Sequence, residues 1–350
     1  MNEADNLCRW DGHSPGHYEV WYVTFNHQQS DTGFWIRYTL EAPLHEPPYA
    51  QLWFAYFDAR NPDNHFGINR RFPIEALRTE SAPFSVSIAP EGDPGREPNQ
   101  LTHTGIRGHL AGDGHEATWD LSWTPQGHSH QHLPRTMYRR GGMGETTVLS
   151  PNLDVALSGT VTVDGRRLVL EREPGGQTHL WGRKHANAWA WGHCNALRDR
   201  VGNRRVGACL EALSLDLVRA GIALPRLTLF SLYLDGRVHR FCDFRHLMQT
   251  RSDHGPGFFT MRGSGLKHRV EARFECRPED MIATPYADPD GEPSWCANTE
   301  IADLEIIISE RTGPLSWREH EVLTATSCGH FEIGRRAMPG TAMRAHVTVD

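Results

Sequence analysis

The chain has 350 residues with 38% hydrophobic content, which suits a soluble globular protein with a sizeable core and, by length, two domains. Its net charge of −7 and pI near 6.3 argue against a binder of nucleic-acid backbones, because its arginine pairs are scattered among acids rather than gathered in a basic patch. The polar, acidic start carries no secretory signal, and no apolar run approaches the ~20 residues needed to cross a bilayer. The seven cysteines are dispersed and form no CxxC, so reduced thiols, a cytoplasmic location and no zinc ribbon are expected.

Short alternating segments, broken by Gly, Pro, Asn and Asp, run the length of the chain. Tyr18–Phe25, Phe34–Leu40 and Gln51–Phe57 read as strands, the first two joined by the turn Gln28–Gly33. Pro73–Thr79 reads as a short helix, Phe84–Ile88 as a strand, Pro90–Asn99 as a surface loop and Thr118–Trp123 as a looser strand. His128-Ser-His-Gln-His132 would share one face if extended, but its flanking Gly and Pro suggest a solvent-exposed turn. Arg139–Glu145 is Gly-rich without a phosphate-loop signature and reads as a flexible loop. Val155–Val163 and Arg167–Glu171 form a hairpin across Asp164-Gly165.

The most distinctive segment runs from Gly176 to Asn195. From Trp189 it alternates strictly: Trp189, Trp191, His193 and Asn195 fall on one face, and Ala190, Gly192 and Cys194 on the other. Large aromatics with polar tips fit the wall of a ligand cavity, and His179, Trp181 and His185 extend the set upstream. The alternative is a barrel strand with core tryptophans and a satisfied buried histidine. Further strands are expected over Ala208–Leu217, Leu227–Leu234, Val238–Phe241, Phe258–Arg262, His268–Cys276, Ala297–Ser309 and Glu321–Gly334, with a short helix over Asp243–Thr250. If the last two strands pair, Asn298 and Glu300 would converge with His330 and Glu332 into an acid–base cluster; otherwise these are polar residues on edge strands. Many strands with frequent turns and little helix predict an all-β fold.

Ser150-Pro-Asn-Leu-Asp154, Ser158-Gly159, Val163-Asp-Gly165, Gly175-Gly-Gln-Thr-His-Leu-Trp-Gly182 and Trp189-Ala-Trp191 together resemble the double-calycin superfamily of carotenoid 1,2-hydratases, AttH-like proteins, tocopherol cyclases and lipocalin-like Diels–Alderases. The Asn298-Thr-Glu300 and Gly329–Arg335 segments are similar to that group's C-terminal half. The resemblance implies two lipocalin-like barrels or sandwiches packed together, divided near residue 180 into 1–180 and 181–350. It also implies a hydrophobic ligand, often a polyene or a prenylated molecule, near their junction.

Where the superfamily carries an Asp-His pair, this chain has Thr178-His179. His179, His193, Glu300 or Glu332 would then have to move the proton, with Trp181, His185, Trp189, Trp191, Asn195, Asn298 and His330 around the ligand. The activity expected is a cyclase, isomerase or hydratase that uses no metal and no cofactor. The alternatives are a non-catalytic carrier of an apolar ligand and a carbohydrate-active β-sandwich. The expected partner is a hydrophobic small molecule, with neither nucleic acid nor an integral membrane segment.

Overall fold

The computed structural model describes residues 3–90, 97–133, 145–219, 221–243, 246, 249–337, 343–345 and 347–349. Most of the Arg139–Glu145 and Pro90–Asn99 loops, and half of the Asp243–Thr250 segment, lie outside them. Among the described residues, thirteen strands form one sheet and twelve another, and the helical pieces are single 3-10 turns. The first sheet uses strands between His17 and Gly182 and is joined by the parallel strand Val347–Val349. The second runs from Ala188 to Arg335, with Arg344–Ala345 added beside Ile282–Ala287. Each sheet wraps around its own apolar core, giving two barrel-like units, as the all-β reading expected.

Alternation explains how the units meet. On the strand His17–His27, Trp21, Val23 and Phe25 fill the first core, while Tyr18, Val20 and Tyr22 point out of it. Those outward residues are also buried, in a third cluster with Trp35, Trp53, Trp191, Ile282 and Ile301. The neighbouring strand Thr32–Ala42 is buried at all 11 positions, which requires apolar contact on both faces. The second unit covers the outer face of the first.

Two expected elements differ. Pro73–Thr79 contains only the 3-10 turn Ile74–Ala76 and continues as the strand Leu77–Ser81, because that stretch pairs with Phe84–Ile88. The Gly176–Asn195 segment is two strands in two sheets: Arg166–Gly182 ends the first unit, residues 183–187 cross over, and Ala188–Cys194 opens the second. Side chains before and after the crossover therefore serve different surfaces.

At Gly33 the two units approach closely. A Cβ there would meet the Glu300 carbonyl oxygen of the opposing unit at 2.5 Å. The added Cβ would meet the backbone of Glu300 rather than the end of a flexible side chain, so relieving the overlap means shifting backbone at the junction. Gly33→Ala is expected to lower the urea midpoint by the equivalent of about 1–3 kcal/mol with little change in slope. An unchanged midpoint would show that the junction is not closely packed at this position.

Candidate functional site

A cavity of about 420 Å³ lies at the junction. The first unit contributes Tyr18, Val20 and Tyr22 from its first strand and Trp35 and Arg37 from its second. The second unit contributes Trp189, Trp191, Leu213, Leu215, Leu227 and Leu229, which stand side by side on three paired strands. Trp189 fits flat because Gly334 lies opposite it: a Cβ at Gly334 would overlap the indole ring. Ala190 and Cys194 point the other way, into the second core.

The lining also carries polar and charged groups, among them Glu332, His185, Arg37, Lys184, Glu292 and Arg336. Glu332 lines the cavity beside Trp191 and accepts a 2.6 Å hydrogen bond from the Trp189 indole N–H. His185 stacks on Tyr18, Trp189 and Tyr286 at ring separations of 4.5, 5.2 and 5.8 Å. Its Nδ1 lies 2.6 Å from Asp288, which Arg336 also contacts at 2.6 Å. Burial opposes ionisation of Asp288, but hydrogen bonds from His185 and Arg336 hold its pKa below the usual carboxylate range. The Arg37 guanidinium sits 4.4 Å from the Tyr286 ring centre, with Trp53 and Trp35 at 5.4 and 5.7 Å. Burial pushes the Tyr22 phenol well above its ordinary pKa, and the carboxylates Glu211, Glu332 and Glu300 add to this, so Tyr22 stays a neutral donor.

The residues expected from the sequence separate into three places. Trp189, Trp191, His185 and Glu332 meet in the cavity lining. His193, His330 and Glu300 are buried behind that wall, with His193 Nδ1 2.9 Å from His330 Nδ1 and Glu300 3.8 Å from His330 Nε2. Asn298 pairs in register with Glu332 as the strand pairing required, but its buried amide finds no partner among the described residues.

The remaining three serve the first unit or the seam. His179 turns inward to stack on Trp21, with Nδ1 2.6 Å from the Asp5 carbonyl and Nε2 2.8 Å from Glu19, so neither ring nitrogen faces the cavity. Trp181 packs at a tilt against His179, beneath Arg9. Asn195 donates to Asp154 and to the Val155 and Gly175 carbonyls, tying the seam together. His179 and Trp181 lie before the crossover at residues 183–187 and so serve another surface than Trp189 and Trp191, whereas Asn195, beyond the end of the strand Ala188–Cys194, is drawn to the first unit by these hydrogen bonds.

Thr178, at the superfamily's acid position, does lie on the junction face. It is paired with Tyr22, and its hydroxyl is 3.0 Å from that of Ser150.

The sequence reading missed Tyr22, Tyr286, Arg37 and the pair His132–Glu211. Bulky residues on both faces of Tyr18–Phe25 are the signal for the first, since an antiparallel strand facing water would alternate with polar residues. His132 was expected in an exposed turn. His130 and His132 are instead 2% and 1% exposed, because His130–Gln131 pairs as a strand with Leu149–Ser150 and lies against the second unit. His132 Nε2 is 3.2 Å from Glu211, which also accepts from the Trp191 indole at 2.9 Å.

Burial disfavours charge on His132, but Cys242 and the Glu211 carboxylate outweigh it and lift the pKa to about 9. With the folded pKa raised, the stabilisation is complete below the ordinary imidazole value of about 6.5 and is lost as pH rises through about 9. The denaturant midpoint of the wild type should therefore fall between about pH 7 and about pH 10, and His132→Gln should shrink that fall. An equal fall in both proteins would assign it to other groups.

The tocopherol cyclase-like family model matches residues 95–335. An uncharacterised protein of Mycobacterium tuberculosis, found in two strains, is 26% identical over 343 residues, covering 97% of this chain and 92% of the relative. Among solved structures, an AttH-like protein of Nitrosomonas europaea aligns with TM-score 0.52 at 14% identity over 91% of this chain and 92% of that one, which shows the shared fold. Kievitone hydratase from Nectria haematococca aligns with TM-score 0.48 at 9% identity over 88% of each chain. With more than half its length matched, this chain belongs to the tocopherol cyclase-like family and shares the two-barrel architecture of the double-calycin superfamily.

Proposed function

We propose that the protein is a cyclase, isomerase or hydratase of an unsaturated, largely hydrocarbon substrate, held in the cavity between the barrels. The observation that carries this reading is the pairing of a cavity walled by indoles, phenols and leucines with a carboxylate, Glu332, fixed on one wall. The aromatic and leucine walls suit a terpenoid or prenylated chain, and the leucines suit a sugar poorly. Glu332 is the group assigned to proton transfer. Its hydrogen bond from Trp189 orients the carboxylate on the cavity wall. The faces of Trp189, Trp191 and Tyr22 stabilise positive charge developing on carbon. Arg37 anchors an oxygen at the polar end of the substrate.

This arrangement also accounts for Thr178. An acid at that position would stand beside Tyr22 on the first barrel. Here the carboxylate that serves the cavity comes from the opposite wall, on the strand Trp317–Arg335. His193, His330 and Glu300 belong behind the wall rather than against the substrate.

A second reading is a carrier that binds the same kind of molecule without changing it, and the threonine in place of the superfamily's acid favours it. Incubation with prenylated quinols and carotenoid precursors, followed by mass analysis, separates the two. Turnover by the wild type, with a loss of ~100-fold or more in Glu332→Gln and retained binding of an apolar fluorophore, is the expected result. Wild-type rates from Glu332→Gln would remove Glu332 from the mechanism. Binding without product across that panel would favour the carrier.

A further inference from the structure

Behind the cavity wall, His193 and His330 face each other across two paired strands, and their hydrogen bonds determine where protons must sit. His193 Nε2 lies 2.8 Å from the Leu153 carbonyl, an obligatory acceptor, so this nitrogen carries a proton. Asn26 Nδ2 donates to the Glu300 backbone carbonyl at 2.7 Å, which fixes the orientation of the amide. Asn26 Oδ1 therefore faces His330 Nε2 at 2.9 Å and makes that nitrogen a donor too. In two neutral rings the remaining nitrogens, both Nδ1, would carry bare lone pairs, yet they lie 2.9 Å apart. Two lone pairs at hydrogen-bond distance repel, and one additional proton turns the repulsion into an N–H···N bond. The Thr24 hydroxyl, 2.8 Å from His330 Nδ1, can rotate to suit either arrangement.

The charge balance is local. Glu300 is 1% exposed, its Oε2 has no hydrogen-bond partner, and it lies 3.8 Å from His330 Nε2. A proton moved from the Glu300 carboxyl to the imidazole pair leaves the cluster neutral overall. We propose that His193 and His330 hold one proton between them, with Glu300 as counter-charge, and that this shared proton lets both rings keep their Nε2–H bonds to Leu153 and Asn26 of the first barrel, which position the two walls of the cavity.

The acceptors that fix both rings, Leu153 and Asn26, belong to the first barrel, while both histidines and Glu300 belong to the second. The bolt also lies one alternation from the cavity on three strands: Tyr22 precedes Thr24, Trp191 precedes His193, and Glu332 follows His330. The inference is independent of what the cavity binds.

The sign of the pH dependence follows from the cluster as a unit. Burial lowers the pKa of both imidazoles, and at His330 the charge of His193 adds to this, so a second proton on the pair is resisted. Burial raises Glu300, and Glu332 adds to it, so the cluster retains one proton that a free carboxylate would lose. The other titratable groups facing the pair are Asp154, Glu211 and His130, with the Cys209 thiol 3.5 Å from His193. On acidification the unfolded chain takes up more protons than the folded cluster, and on alkalinisation it holds fewer. The cluster's stabilisation should therefore peak near the ordinary imidazole pKa of about 6.5 and fall on both sides.

The test is two-bond 1H–15N correlation spectroscopy on the full chain labelled with 15N-histidine, between about pH 5 and about pH 9. The expected spectrum near neutrality shows both rings protonated at Nε2 and one downfield, exchange-protected proton coupled to the Nδ1 of this pair. In Glu300→Gln that proton should titrate away at lower pH, and in His330→Gln both limbs of the stability profile should flatten. Two bare Nδ1 atoms at every pH would overturn the proposal. So would a stoichiometric metal ion whose chelation shifts both rings. The wild-type spectrum decides the matter even if a variant fails to fold.

Discussion

The strands at the junction are buried on both faces, and the position of the site depends on that double burial. Trp21, Val23 and Phe25 fill one barrel, and Ala190 and Cys194 help fill the other, so the inward faces are committed to packing. What remains is the layer where Tyr18, Tyr22, Trp35, Trp189 and Trp191 meet across the seam. Residues this large and this rigid do not close-pack perfectly against one another, and they leave a cavity between the units. Gly33 and Gly334 set its limits, the first by letting the backbones approach and the second by giving the Trp189 indole room to lie flat.

Polar chemistry in that layer is graded. Leucines and tryptophans occupy the end formed by Leu213, Leu215, Leu227 and Leu229. One alternation further along the same strands stand Glu211, Ser231 and His193, with His330 on the neighbouring strand, all buried. Burial makes every one of these polar groups costly unless partnered, and their partners come largely from the opposite barrel or a neighbouring strand. Docking of the barrels and the protonation of the seam are thus one physical problem. The cavity lies against this polar layer, which is where an apolar substrate would meet groups able to hold or move a proton.

Much of the fold was legible from alternation. Phe84–Ile88 and Leu227–Leu234 have the same limits in sequence and structure, and Asp164-Gly165 turns the hairpin it was expected to turn. The aromatic face of Trp189 and Trp191 was also legible, because two indoles opposite Ala and Gly have few other uses. The first barrel's share of the cavity was not. Tyr22 and Trp35 read as ordinary core residues until the second barrel is placed over them, and no local pattern specifies that placement. His179 and Trp181 were misplaced for a related reason. Residues 176–195 look continuous as a pattern, yet the chain changes sheets between Gly182 and Ala188. The buried His132 was hidden by turn-forming neighbours, whereas the charged Glu211 within the apolar run Cys209–Leu215 was a sign that something basic or polar must meet it.

The central claim is that the ligand belongs between the barrels and not inside either one. The most direct measurement is a crystal structure of the protein with a prenylated aromatic compound bound. The account predicts density in the junction, against Trp189, Trp191 and Tyr22, with a polar atom within hydrogen-bond distance of Glu332 or Arg37. Density inside either barrel core, or only on the outer surface, would contradict it.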